Sequence, residues 1–139
     1  MSDANKAVVQ RFYDVFNSGK LNELDSFVRE NFIDHNPLPE QNPGLAGLKQ
    51  VMAMFRTAFP DIKIDVRELM AEGDKVAVRT QATGTHEGPL LGLPATGKSA
   101  TISAIDIFVV KDGKIAEAWH VEELLYLLVQ MGAVPMPGG

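Results

Sequence analysis

Asp106 and His120 stand on the two arms of SAIDIFVVKDGKIAEAWHV, a stretch from Ser103 to Val121 that reads as a β-hairpin. Asp106 lies among Ile105, Ile107 and Phe108, and a carboxylate in such surroundings is costly to bury unless something uses it. An acid paired with a histidine is a general acid–base device. The carboxylate orients and charges the imidazole, whose ordinary pKa near 6.5 suits proton transfer at neutral pH. Such a pair could remove a proton beside a carbonyl, protonate a leaving group or activate water. On this reading His120 is the proton-transfer group and Asp106 its orienting partner. The competing reading is a structural ion pair at a sheet edge.

Strand parity decides whether the two can meet. A two-residue turn at Asp112-Gly113 would pair Val110 with Ile115 and put His120 on the same face as Ile105. A three-residue loop, Lys111-Asp112-Gly113, takes a type I turn with Gly113 left-handed and a bulge. Val110 then pairs with Lys114, Ala104 lies opposite His120, and Asp106, Ala104, Ala118 and His120 share a face. Asp106 and His120 become diagonal neighbours, roughly 7–8 Å apart at the backbone. Lys-Asp-Gly-Lys fits the second register, and the small Ala104 and Ala118 leave room for a ligand.

The other two histidines, His86 in GTHEG and His35 in DHNP, also fall where strands end. That is where a pocket rim is expected, although either alone would serve as a surface or capping residue. No two histidines show HxH or HxxxH spacing, so no metal is expected, though a set of three histidines and Asp106 drawn from distant segments is not forbidden. Gly92-Leu93-Pro94-Ala95-Thr96-Gly97-Lys98-Ser99 matches the phosphate-binding pattern GxxxxGK[ST] letter for letter. That motif works only when a helix follows and its amides hold the phosphates. Here the strand-like ATISAIDIFVV follows, so nucleotide binding is rejected. EGPLLGLPATG is read instead as an apolar lid over a pocket mouth.

These residues need elements to hold them. Val8, Phe12 and Phe16, with Val9 and Val15 alongside, form a helical stripe that Ser2 or Asp3 can cap and Asn17-Ser18-Gly19 closes. A shorter helix carries Leu21, Leu24, Phe27 and Val28, and residues 32–43 make an extended piece and a loop. A third helix, Leu45 to Phe59, ends at Pro60. Strand chemistry follows over 63–70, 75–85, 98–110 and 114–121. The ending EELLYLLVQMG reads as a buried helix starting at Glu122 or Glu123, with Gly132 at its C′ position. Helices first and an antiparallel meander afterwards make this α+β, a curved sheet wrapped around the N-terminal helices with a cone-shaped internal pocket.

The 139 residues suit one domain, spanning 1–139, with loose ends at about 1–4 and 134–139. A net charge of −5 without a basic stripe argues against a nucleic-acid partner. The absence of cysteine rules out disulfides and thiolate metal sites. Neither a signal peptide nor a membrane span is evident, which fits the cytoplasm.

VVQRFYDVFNSGKLNELDSFV, FIDHNP, AFPDIKI, GTHEGPLLGLPATGK and IDIFVVKDGKIAEAWHVEELLYLLVQMG together resemble the SnoaL-like polyketide cyclases. That family lies within the nuclear transport factor 2-like superfamily, which also holds ketosteroid isomerase and scytalone dehydratase. The resemblance implies a cone-shaped α+β fold, commonly a homodimer packed through the sheet's outer face, and a cofactor-free aldol condensation that closes a ring on a polyketide ester. Aligned through DGKI, the family's acid–base Asp falls on His120 and its assisting His on Asp106, with the two residue types exchanged. The expected function is therefore a cofactor-free acid–base enzyme on a small hydrophobic carbonyl compound. His120 and Asp106 are the catalytic pair, His86 and His35 contact the substrate or a developing enolate oxygen, and Phe16, Phe55, Leu91 and Phe108 line the pocket. Hydrolysis or dehydration by the same pair is the alternative, and a non-catalytic small-molecule binder the further one.

Overall fold

The computed structural model describes residues 2–135. Helix α1 spans Ser2–Ser18, so residues 2–4, expected to be loose, are helical. Residues 136–139 of the expected loose end lie outside the described residues. Val9, Phe12 and Tyr13 recur at helical spacing and are buried. The helix stops at Gly19, whose φ of +78° needs glycine. Arg56 then donates from Nη1 to the carbonyls of Phe16 and Asn17, at 2.8 and 3.0 Å, which satisfies two of the acceptors a helix end leaves open.

A 3-10 helix over Leu21–Ser26 leads into strand β1, Val28–Asp34. The expected second helix is thus shorter, and the extended segment starts at Val28, a buried β-branched residue that suits a strand. Helix α2 covers Gly44–Ala58 and ends as expected ahead of Pro60. Four strands follow: β2 Lys63–Glu72, β3 Lys75–Thr85, β4 Ser99–Lys111 and β5 Lys114–Glu122. Because Ser99 already begins β4, the GxxxxGKS stretch has no helix behind it and cannot cradle a phosphate in the usual way.

The strands make one sheet in the order β1-β5-β4-β3-β2, with β1 parallel to β5 and the remainder antiparallel. Its inner face packs on α1 and α2 through Val76, Val78, Phe108, Val110 and Ala118 against Val9, Phe12, Leu48 and Met52. Phe12 and Phe108 meet edge-on, ring centres 5.1 Å apart. The curved sheet with N-terminal helices confirms the α+β expectation.

The hairpin register differs from the expected one. Lys111 pairs with Lys114 and Val110 with Ile115, across a two-residue turn in which Asp112 and Gly113 both have positive φ, +54° and +74°. Beyond it Val109 pairs with Glu117, so Ala116 is the extra residue of a bulge in β5. The bulge shifts every later partner by one and brings Asp106 directly opposite His120. Ile115 and Ala116 are both buried, two successive buried residues that strict in-out alternation does not produce.

Helix α3, Leu124–Gln130, starts later than expected. Glu122 still belongs to β5, and Glu123 turns its carboxylate back to the N–H of Ser103 at 2.7 Å. The Gln130 amide reaches the N–H and carbonyl of Thr101, both at 2.9 Å. These contacts cover the free edge of β4 beyond the end of β5. Leu127 is buried, but Leu125 and Tyr126 are exposed, so the helix is less enclosed than its composition suggests. Among the described residues no helix is long and apolar enough to cross a membrane.

Candidate active site

Alternation along β3, β4 and β5 builds the site. Val78, Asp106 and His120 form one row across the inner face, and Thr80, Ala104 and Glu122 form the next. Directly opposed residues hold their Cβ atoms ~5 Å apart, so Asp106 and His120 are close. They nevertheless take different hydrogen-bond partners. Tyr13, reaching down from α1, donates its hydroxyl to Asp106 Oδ2. His120 is held by two other carboxylates, Asp34 Oδ1 on Nε2 at 2.7 Å and Glu122 Oε1 on Nδ1. Asp106 is therefore not the partner that orients His120; Asp34 and Glu122 are.

The sequence folds so as to make this clamp rigid on one side. Asp34 ends β1, and Ala118, the residue it pairs with on β5, lies two before His120. Its carboxylate also accepts from the Asn36 N–H at 2.8 Å and the Gln41 amide at 3.0 Å. Asn36 returns the connection by accepting the His120 N–H at 2.9 Å. An open groove of about 770 Å³ between β1 and the loop that follows it reaches Asp34 and Gln41.

Electrostatics separate the two groups further. Burial pushes the Asp106 carboxyl up to about 6; the Tyr13 hydrogen bond and the His120 charge pull against that, and the Glu122 and Asp34 charges add to it. Asp34 and then Glu122, bonded to its two nitrogens, raise His120 to about 10, with burial opposing. For Asp34 burial acts upward, yet its bonds with His120, Gln41 and Asn36 hold it below the ordinary value. Burial, then the Asp106 charge and hydrogen bond, lift Tyr13 well above the ordinary phenol range. At neutral pH the row thus carries an imidazolium with both nitrogens occupied, beside a carboxylate of raised basicity that ionises near neutrality.

The remaining expected residues scatter. His86 is fully buried rather than at a rim, tilted against Phe59, ring centres 5.5 Å apart. Its Nδ1 faces the Thr96 hydroxyl at 2.9 Å and accepts the Thr96 N–H at 3.2 Å, while Nε2 has no partner among the described residues. His35 points to the sheet's outer face, stacked on Trp119 at 4.2 Å and bonded to Glu117 at 2.9 Å. It lies on the opposite side of the sheet from Asp106 because Asp34, one residue earlier, takes the inward position. Phe108 packs into the core beside Tyr13, ring centres 6.1 Å apart. Phe16 is half-buried against the same core. Phe55 is half-buried and lines a cavity of about 40 Å³ with Phe59, Ile102 and Leu127. Leu91 is exposed, at φ +48°, on the tip of a tight turn closed by Leu90 and Leu93. The expected lid is thus a small hairpin that buries Leu90 and turns Leu91 to solvent.

Sequence reasoning missed Tyr13, Asp34 and Glu122. Tyr13 stands one helical turn after Val9 on the buried stripe, and a buried phenol needs a partner. Asp34 ends a strand just ahead of His35, and parity alone would turn it to the other face. Glu122 was claimed by the helix behind it, although it continues the alternation of His120.

The profile of the SnoaL-like polyketide cyclase family matches residues 6–131. The aklanonic acid methyl ester cyclase DnrD of Streptomyces peucetius is 28% identical over 137 residues, covering 95% of this chain and 94% of its own. TsrD from Streptomyces laurentii superposes with a TM-score of 0.88 at 28% identity, over 96% of this chain and 98% of its own. A candidate polyketide cyclase from Bacillus cereus is 38% identical, with a TM-score of 0.81 over 91% of this chain and 79% of its own. By this match and this fold, the chain belongs to the SnoaL-like polyketide cyclase family.

Proposed function

We propose that the protein is a cofactor-free cyclase for a small hydrophobic carbonyl compound, a polyketide ester, and that Asp106 is its proton-transfer group. One observation carries this reading: a buried carboxylate, hydrogen-bonded by Tyr13, directly opposite a histidine whose two nitrogens are clamped by other carboxylates. Asp106 as carboxylate takes the proton from the carbon next to a carbonyl. The C–H electron pair becomes the C=C bond of an enolate, and the carbonyl oxygen takes up the charge. The enolate carbon then attacks a second carbonyl carbon of the same molecule, and the new alkoxide recovers the proton from Asp106. A ring closes with no net change of oxidation state.

His120 acts in this scheme as a fixed positive charge rather than as a base, because neither ring nitrogen is free to accept a proton. Its charge stabilises the enolate. A carboxyl ionising near 6 is well matched to taking and returning a proton around neutrality. The catalytic pair expected from sequence is kept, with its roles exchanged.

The test uses the methyl ester that the relative DnrD is named for. Ring closure of aklanonic acid methyl ester, followed by chromatography, is expected with the wild-type protein and lost in Asp106→Asn. A wild-type protein that neither closes the ring nor exchanges the acidic C–H with deuterated water contradicts the reading.

The outer face supports a homodimer as the assembly. Met70 and Trp119, with Ile107 between them, form an exposed apolar row, and Ile33, Ile105 and Val121 extend it. A second copy covering this face predicts a dimer by sedimentation and a monomer for Val121→Glu; a monomeric wild type contradicts it.

A further inference from the structure

We infer that Glu122 is a displaceable placeholder: an enolate oxygen of the substrate takes its position on the Nδ1–H of His120 while Asp106 holds the proton removed from the neighbouring carbon. This rests on the acid–base reading of Asp106 given above and adds the place where the substrate oxygen binds.

The two carboxylates of the clamp are unequal. Asp34 is anchored by Asn36 and Gln41 in addition to His120, and its side chain is only 13% exposed. Glu122 has no side-chain hydrogen bond other than that to His120 among the described residues, and its side chain is 31% exposed. Asp34 therefore stays, and Glu122 is the one that can leave, giving up a single side-chain bond as it swings toward water. It sits at the last position of β5, directly opposite Ala104, whose methyl group fills little space. Ala104 is also the inward neighbour of Asp106 along β4. An oxygen replacing the Glu122 carboxylate would thus sit over Ala104, next to the carbon that faces Asp106.

Charge gives the exchange its direction. A neutral ketone competes poorly with a carboxylate for an imidazolium N–H, since charge-assisted hydrogen bonds are about twice as strong as neutral ones. An enolate oxygen is itself anionic and competes on equal terms. Displacement of Glu122 is therefore favoured as the negative charge develops and not before, so the contact is strongest in the transition state. Glu122 meanwhile keeps His120 charged in the free protein, and Asp34 maintains that charge after Glu122 has left.

Binding of a fluorescent naphthol, whose oxygen imitates an enol, tests this by titration at pH 8. Glu122→Gln and Glu122→Ala are each expected to bind roughly tenfold tighter than wild type, equivalent to about 1.4 kcal/mol. Asp34→Asn is expected to bind more weakly. A structural Glu122 would give the opposite sign, because its loss would weaken the site. Affinities in both Glu122 variants equal to or below that of wild type overturn the inference while leaving Asp106 as the proton-transfer group. No binding by wild type or any variant also overturns the inference, and exchange of the substrate's acidic C–H with deuterated water in the same samples decides separately whether the acid–base reading falls with it.

Discussion

Asp34 and His35 are neighbours in the chain, face opposite sides of the sheet, and each joins a histidine–carboxylate contact with β5. On the inner face Asp34 holds His120, which Glu122 holds from its other nitrogen, with buried Asp106 opposite. On the outer face His35 meets Glu117 and lies flat on Trp119, ring planes 5° apart, beside exposed Ile107 and Val121. The residue types are nearly the same, and the chemistry they can support is not. The inner contact adds a second carboxylate to the imidazole and sets a buried carboxyl of altered acidity beside it. The outer contact offers a flat aromatic and apolar surface suited to packing. A histidine next to an acid therefore says little until strand parity and burial are known.

The largest effect that would separate the two faces is on turnover. Asp106→Asn is expected to lower ring closure by roughly 100- to 10,000-fold, the range for loss of a general acid–base group. His35→Ala, assayed alongside, should leave kcat within about twofold; equal losses in both would erase the distinction.

A smaller effect sharpens the clamp. Asp34→Asn removes a hydrogen bond to a charged group, worth roughly 1.5–3 kcal/mol, and should reduce kcat/KM by about 10- to 100-fold. It should also move the alkaline limb of the pH profile, expected near 10 in the wild type, toward neutrality. An unmoved limb would mean that Asp34 does not hold the charge on His120. The acid limb is expected near 6, where Asp106 must lose its proton to act as a base.

Stability gives a third contrast. The Asp106 carboxyl binds its proton more tightly in the folded chain than in the unfolded one, so folding loses stability as pH rises from about 4 through about 6. Asparagine carries no such penalty. Asp106→Asn should thus be more stable than wild type at pH 7.5, by about 1–3 kcal/mol, and show no such gain below pH 4. Urea melts at the two pH values read this directly, and a variant less stable at both would contradict the burial argument. The smallest effect is expected outside, where His35→Ala forfeits a stacked ring pair worth about 0.5–1.5 kcal/mol at either pH.

Much of the fold was legible because its signals are local and periodic. The stripe of α1, Pro60 after α2 and the alternation of the strands all declare themselves within a turn or a few residues. The shared face of Asp106 and His120 was also expected, but by way of a three-residue loop. The actual route, a two-residue turn followed by the Ala116 bulge, depends on what Ile115 and Ala116 pack against, which no local rule contains. The clamp around His120 was illegible for the same reason. Asp34 reaches β5 only through a parallel pairing between segments far apart in the chain, and Tyr13 meets Asp106 only once α1 lies across the sheet. The other two histidines misled in the other direction: His86 and His35 end strands, yet one is sealed beneath its loop and the other faces outward.

The central claim is that Asp106, and not His120, changes protonation near neutral pH. NMR titration of the two side chains in the same sample, the Asp106 carboxyl carbon and the His120 ring nitrogens, tests it without a substrate. Asp106 is expected to titrate near 6 while His120 stays doubly protonated through pH 8, its midpoint near 10. A His120 that loses its proton between pH 6 and 7, with Asp106 ionised throughout, would contradict the account and return the base to the histidine.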